Sequence, residues 1–129
     1  MSLRVVRLGS PRAKGEGLRL GTVRKPPRGV KKSDFAKLDY YDVWFPNLAP
    51  SFELFRWIMA APITPQRWNA FARRYRSEMS APERRRDIEV LAALSRHADF
   101  SVGCYCEDER HCHRSLLREL LHQAGARLA

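Results

Sequence analysis

The run Asp99-Phe-Ser-Val-Gly-Cys-Tyr-Cys-Glu-Asp-Glu-Arg-His-Cys-His-Arg-Ser-Leu-Leu-Arg-Glu-Leu-Leu-His-Gln123 decides the fold class. Phe100, Val102 and Cys104 alternate with small residues, the period of a strand with one buried face. A short acidic turn, Glu107-Asp108-Glu109, follows. Leu116, Leu117, Leu120, Leu121 and Ala124 then recur at helical spacing, with Asp108 as the expected N-cap and Gly125 as the expected C-cap. A strand, a tight turn and a helix in immediate succession make an α/β unit.

Working outward, residues 3–8 and 18–23 read as short strands joined by a polar connection containing Gly9, Pro11, Gly15 and Gly17, and they are expected to pair as neighbours. Pro26 and Pro27 forbid a central strand in the basic stretch 24–32, which must be loop. Residues 39–45 read as a third strand ending at Pro46. Three helices are expected before the quoted run. The first starts at Ser51 and carries Leu54, Phe55, Ile58 and Met59. The second is capped by Thr64 with Pro65 in its first turn, and buries Trp68, Phe71, Ala72, Tyr75 and Met79. The third opens on the capping-box spacing Ser80 to Glu83 and carries Ile88, Leu91, Leu94 and Ala98. Residues 1–129 are thus expected to form a single compact α/β domain, with a small, mainly parallel sheet flanked by helices.

The 129 residues suffice for one core. A hydrophobic share of 44% against 29% charged is an ordinary globular balance, and no run approaches the roughly 18 apolar residues that span a bilayer. Together with the strand-like start, this reads as an intracellular, cytoplasmic protein with no membrane partner. A formal net charge of +10 attracts anions, nucleic-acid phosphates included. The basic residues are spread along the chain, which by itself is the pattern of a solvated surface.

The three cysteines lie within nine residues of one another, unlike the distant pairs of a disulfide framework. Cys104 and Cys106 share a strand face, and helical spacing carries the last apolar stripe back to Cys112 and His113. Thiols, imidazole and Arg114 are therefore expected to converge at the strand-to-helix junction, where open α/β sheets bind ligands. Three chemistries compete there. Zinc accepts Cys104, Cys106 and Cys112 with His111 or His113 as a ligand set, although the Cys-x-Cys spacing is not that of the usual knuckle. Alternatively, Cys112 is a nucleophilic thiolate, with His113 or His111 as base, Arg114 holding an anionic group, and Glu107 or Asp108 orienting the imidazole. In the third reading the cysteines are small buried hydrophobes, with redox pairing open to those within disulfide range. The string His111-Cys112, five residues, Arg118 imitates a phosphatase signature, but its intervening residues form a helix body rather than a Gly-rich cradle.

Several stretches resemble one family. Arg24 with Pro27-Arg28-Gly29-Val30, Leu48-Ala49-Pro50-Ser51 with Trp57, Trp68 with Phe71 and Arg74-Tyr75-Arg76, and the terminal Cys112-His113-Arg114 are together similar to the domain of unknown function family 488 (DUF488), in its short YeaO-like branch. The family's terminal pattern, Cys-x-Glu, a turn, then Cys-His-Arg, falls on Cys104 and on Cys112, His113 and Arg114. Two departures stand out: Cys106 occupies the Glu position, and the basic loop lacks the family's Asp and Trp. The resemblance implies a compact α/β fold in which Arg24 and Arg28 share an anion-binding pocket with the terminal Cys112, His113 and Arg114. Trp44, Trp57 and Trp68 are candidates for its lining. It implies no established activity.

The expectation is therefore an intracellular protein whose Cys/His/Arg pocket acts on an anionic small molecule or nucleic-acid component. A basic nucleic-acid-binding module and a zinc-stabilised scaffold are the alternatives.

Overall fold

The computed structural model describes residues 1–129 as one α/β unit. Four strands, β1 (Leu3–Arg7), β2 (Leu18–Gly21), β3 (Val43–Trp44) and β4 (Phe100–Cys104), form one sheet in the order β1-β4-β2-β3, with every pairing parallel. Four helices, α1 (Phe52–Met59), α2 (Pro65–Met79), α3 (Pro82–Leu94) and α4 (His113–Gln123), supply most of the remaining regular secondary structure. No helix is long and apolar enough to cross a membrane.

The main core forms where one face of the sheet meets the helices. Leu3, Phe100 and Val102 pack with Leu54 and Ile58 of α1, Phe71 and Tyr75 of α2, Ile88 and Leu91 of α3, and Leu116, Leu117 and Leu121 of α4. Connecting segments cover the opposite face. There Arg19 is fully buried, bonded through Nε and a terminal nitrogen to the buried Glu16 carboxylate and through its other terminal nitrogen to the carbonyls of Ser10 and Asp39. Ser101 donates to the same carboxylate at 2.9 Å. Gly21 is required beside this network, because a Cβ there would stand 2.4 Å from the Tyr41 ring.

Strands β1 and β2 are not neighbours as their order suggested; β4 lies between them. All five β4 residues are buried, and a strand without a solvent face belongs at the centre of a parallel sheet. The third strand shrinks to two residues. Asp39 adopts φ 62°, and the Asp42 carboxylate accepts from the Arg19 amide and from Arg12, so the segment before Val43 wraps beneath the sheet.

Ser51 and Thr64 cap α1 and α2 as expected, accepting from the amides of Leu54 and Arg67. Within α1, however, Met59 is exposed and only Leu54 and Ile58 are buried. The capping box at Ser80 does not form. Helix α2 extends through Met79, the Ser80 hydroxyl donates back to Ser77, and α3 begins at Pro82 after Ala81. Leu94 and Ala98 are exposed, Ala92 taking the inward position in α3. Asp108 caps a short 3-10 turn, Glu109–His111, while α4 starts two residues after that turn's His111, at His113, with Cys112 extended before it. Gly125, at φ 94°, follows the end of α4 in the left-handed conformation that glycine adopts freely.

Candidate functional site

Cys104 ends β4, Cys106 follows it in the turn, and Cys112 immediately precedes α4. The three Sγ atoms lie within 4.8 Å of one another, with Cys104 and Cys106 3.8 Å apart. Cys104 and Cys112 are buried in a small cluster with Leu8, Val23 and Tyr41, whereas Cys106 is exposed. No disulfide joins them.

His113 is buried, and its Nε2 lies 2.7 Å from the Thr22 carbonyl. A carbonyl oxygen only accepts, so Nε2 carries the hydrogen and Nδ1 is the nitrogen turned to the Cys112 sulfur, 3.9 Å away. The imidazole thus faces one sulfur and does not join the close-set group of three. Arg114, also buried, donates to the Cys106 carbonyl at 2.6 Å, and its Nε has no partner.

These contacts separate the three thiols. Donation from Cys104 and Cys112, with the positive charges of His113 and Arg114 behind them, pulls Cys106 down to about 3. Cys104 is pushed up to about 11 by its contact with Cys106, and Cys112 is raised by its contacts with both other sulfurs. These directions favour the thiolate on the exposed sulfur, with the two buried thiols as its donors. Burial lowers the His113 imidazole, but Cys112 and the Thr22 carbonyl outweigh it and raise the group.

Cys104, Cys106, Cys112 and His113 line a cavity of about 630 Å³. Its lining has a basic set, Arg7, Arg24, Lys25 and Arg28, and an apolar set, Phe55, Ile58, Met59, Ile63, Trp68 and Phe71. No carboxylate is among the lining residues. Arg24 spends its donors on the protein, bonding the carbonyls of Pro46, Ala49 and Pro50, with its guanidinium 5.2 Å from the Phe52 ring centre. Arg28 is exposed.

The structure thus brings Cys104, Cys112, His113, Arg24 and Arg28 to one cavity, with Arg114 behind it. Glu107 turns to Arg7 at 3.4 Å, and Asp108 to Arg110 and His111, so the orienting partner of His113 is the Thr22 carbonyl instead. Trp68 lines the cavity; Trp57 and Trp44 do not. Sequence reading missed Arg7, Lys25, Tyr40 and Tyr105 at the rim, and the apolar wall. The exposed Met59 and Ile63, on either side of the break between α1 and α2, were the available signal, since large apolar side chains left outside the core suit a ligand-facing surface.

A family model described as the active DUF488-N3 subclade matches residues 3–125. The chain belongs to the DUF488-N3a family. The match covers the cavity lining and the whole cysteine cluster of this DUF488-N3a protein; it names the N3a subclade and does not address the YeaO-like branch. No curated protein and no solved structure matches the chain.

Proposed function

We propose that this DUF488-N3a protein acts on an anionic small molecule or nucleic-acid component, with a cysteine thiolate in its cavity as the reacting group. The observation that carries this reading is the union, in one cavity, of four cationic side chains, no carboxylate and a three-sulfur cluster. A thiolate requires positive surroundings and neighbouring donors. Cys106 has both: the Cys104 and Cys112 thiols donate, and His113 and Arg114 supply charge. This moves the role of nucleophile from Cys112, a buried thiol, to Cys106, with His113 and Arg114 as positioning residues.

The test is alkylation of Cys106 by iodoacetamide near neutral pH, followed by mass spectrometry. Rapid, selective labelling that inorganic phosphate or a nucleotide suppresses saturably is the expected result. Slow labelling, or labelling indifferent to every anion tried, overturns the reading.

A metal held by the same sulfurs is a second reading with its own support. Three cysteines this close could hold an ion. Zn–S bonds of about 2.3 Å in a tetrahedron place two sulfurs about 3.8 Å apart, which the Cys104 to Cys106 separation of 3.8 Å matches. Nδ1 of His113 is the ring nitrogen available to a metal once its proton is lost, the Nε2–H being tied to a carbonyl in the manner usual for metal-binding histidines. It would have to approach the sulfurs to complete the set. Elemental analysis of protein purified without added metal tests this directly.

A further inference from the structure

The two sets of lining residues differ in kind, and that difference specifies a ligand. A bare phosphate or sulfate would fill a small fraction of about 630 Å³, a volume in the range of sites that enclose whole organic ligands. It would also leave the exposed Met59 and Ile63 in water. Met59 is 69% exposed and Ile63 37% exposed, so the apolar wall is not used up by the protein's own packing.

The lining is also rich in rings: Phe55, Trp68, Phe71, Tyr40, Tyr105 and His111. Trp68 stacks on Phe71 with centroids 5.2 Å apart and planes 22° apart, and the His111 ring lies 5.6 Å from Trp68. Flat side chains of this kind favour a planar partner over a flexible alkyl chain, because stacking adds to area burial. The Lys25 ammonium lies over the Phe55 ring, 5.6 Å from its centre. A cation is thereby held directly beside an aromatic face, the pairing that a molecule carrying both a negative group and a ring would meet on entry.

We infer that the ligand is a mononucleotide-class phosphate ester, its phosphate on the Lys25 and Arg28 side and its base against the Phe55 and Trp68 side. The inference rests on the anion-pocket reading above and narrows it to one substrate class.

Protection of Cys106 from iodoacetamide separates the possibilities. The probes are adenosine 5′-monophosphate, uridine 5′-monophosphate, adenosine, inorganic phosphate and octyl phosphate. At least one monophosphate should protect half-maximally at a concentration tenfold or more below adenosine, inorganic phosphate and octyl phosphate alike. Arg28→Gln, at an exposed position, should bring that monophosphate at least threefold closer to adenosine. If inorganic phosphate protects as well as the nucleotides, the anion pocket stands and the nucleotide class is overturned. If octyl phosphate matches them, the apolar wall reads chain rather than ring, which equally overturns it. Protection by none of the probes removes the anion pocket and this inference together.

Discussion

Cys106 and Arg114 form a working pair through the backbone as well as through charge. Arg114 is 5% exposed, its Nε finds no partner, and its one hydrogen bond holds the carbonyl of the residue bearing the low-lying thiol. A free thiol loses reactivity about tenfold per pH unit below about 8.5 as its thiolate fraction falls. With Cys106 held near 3, its alkylation rate should instead stay flat from about pH 8.5 to about pH 5. Arg114→Met removes the charge and the hydrogen bond, and should move the midpoint of that profile upward by about one unit or more. A wild-type profile with an ordinary thiol midpoint would contradict the charge assignment. Beneath the sheet, burial drives the Glu16 carboxyl up, but Arg19, the Ala13 amide and Ser101 more than offset it and hold it at about 2. A depressed carboxylate stabilises the fold above its unfolded value of 4.5 and ceases to do so as pH falls toward 2. Glu16→Gln leaves a fully buried guanidinium without its countercharge and should cost about 3–5 kcal/mol in urea unfolding at pH 7. The variant should also lack the wild type's loss of stability between pH 4.5 and 2 that this pair contributes.

At the level of elements, α1 joins stability to the site. Its cap, Ser51, accepts from the Leu54 amide and donates to Glu78 of α2, while Glu78 also accepts from the Ser51 amide. Ser51→Ala should therefore cost about 1–2 kcal/mol in chemical denaturation. Because α1 carries Phe55, Ile58 and Met59 into the cavity, the same change should weaken nucleotide protection of Cys106 in protein that is still folded; unaltered protection would separate the cap from the wall. The caps of α1 and α2 and the stripes of α2 and α4 were legible because they are local: a hydroxyl next to Pro65, or leucines at helical spacing, act within a few residues. The order of strands was not legible, since the central place of β4 depends on partners about 80 to 100 positions away. Cys112 was misplaced by the 3-10 turn that intervenes between Asp108 and α4. The Thr22 carbonyl that fixes His113 is 91 residues distant and belongs to the backbone, and no side-chain pattern announces it.

For the whole molecule, the net charge of +10 is distributed more economically than the sequence alone conveys. Arg12, Arg19, Arg76 and Arg118 are paired with carboxylates, and Arg24 and Arg67 brace backbone carbonyls. Lys25 and Arg28, which have no carboxylate partner, line the same cavity as the sulfur cluster. The thiolate and metal readings then divide on one measurement of proton balance. Three cysteines bind zinc as thiolates, yet in the metal-free cluster only Cys106 is ionised, with Cys104 and Cys112 retaining their protons near neutrality. Titrating zinc into metal-free protein in weak buffer should therefore release about two protons per ion bound from the cysteines, with a third where the protonated His113 completes the set, and should abolish Cys106 alkylation as it does so. Protein purified without added metal should contain well under one zinc per chain and alkylate fully if the thiolate is the working form. A full equivalent of zinc that survives purification, with Cys106 unreactive until a chelator removes it, would instead make the cluster a metal centre and the cavity a binding site beside it.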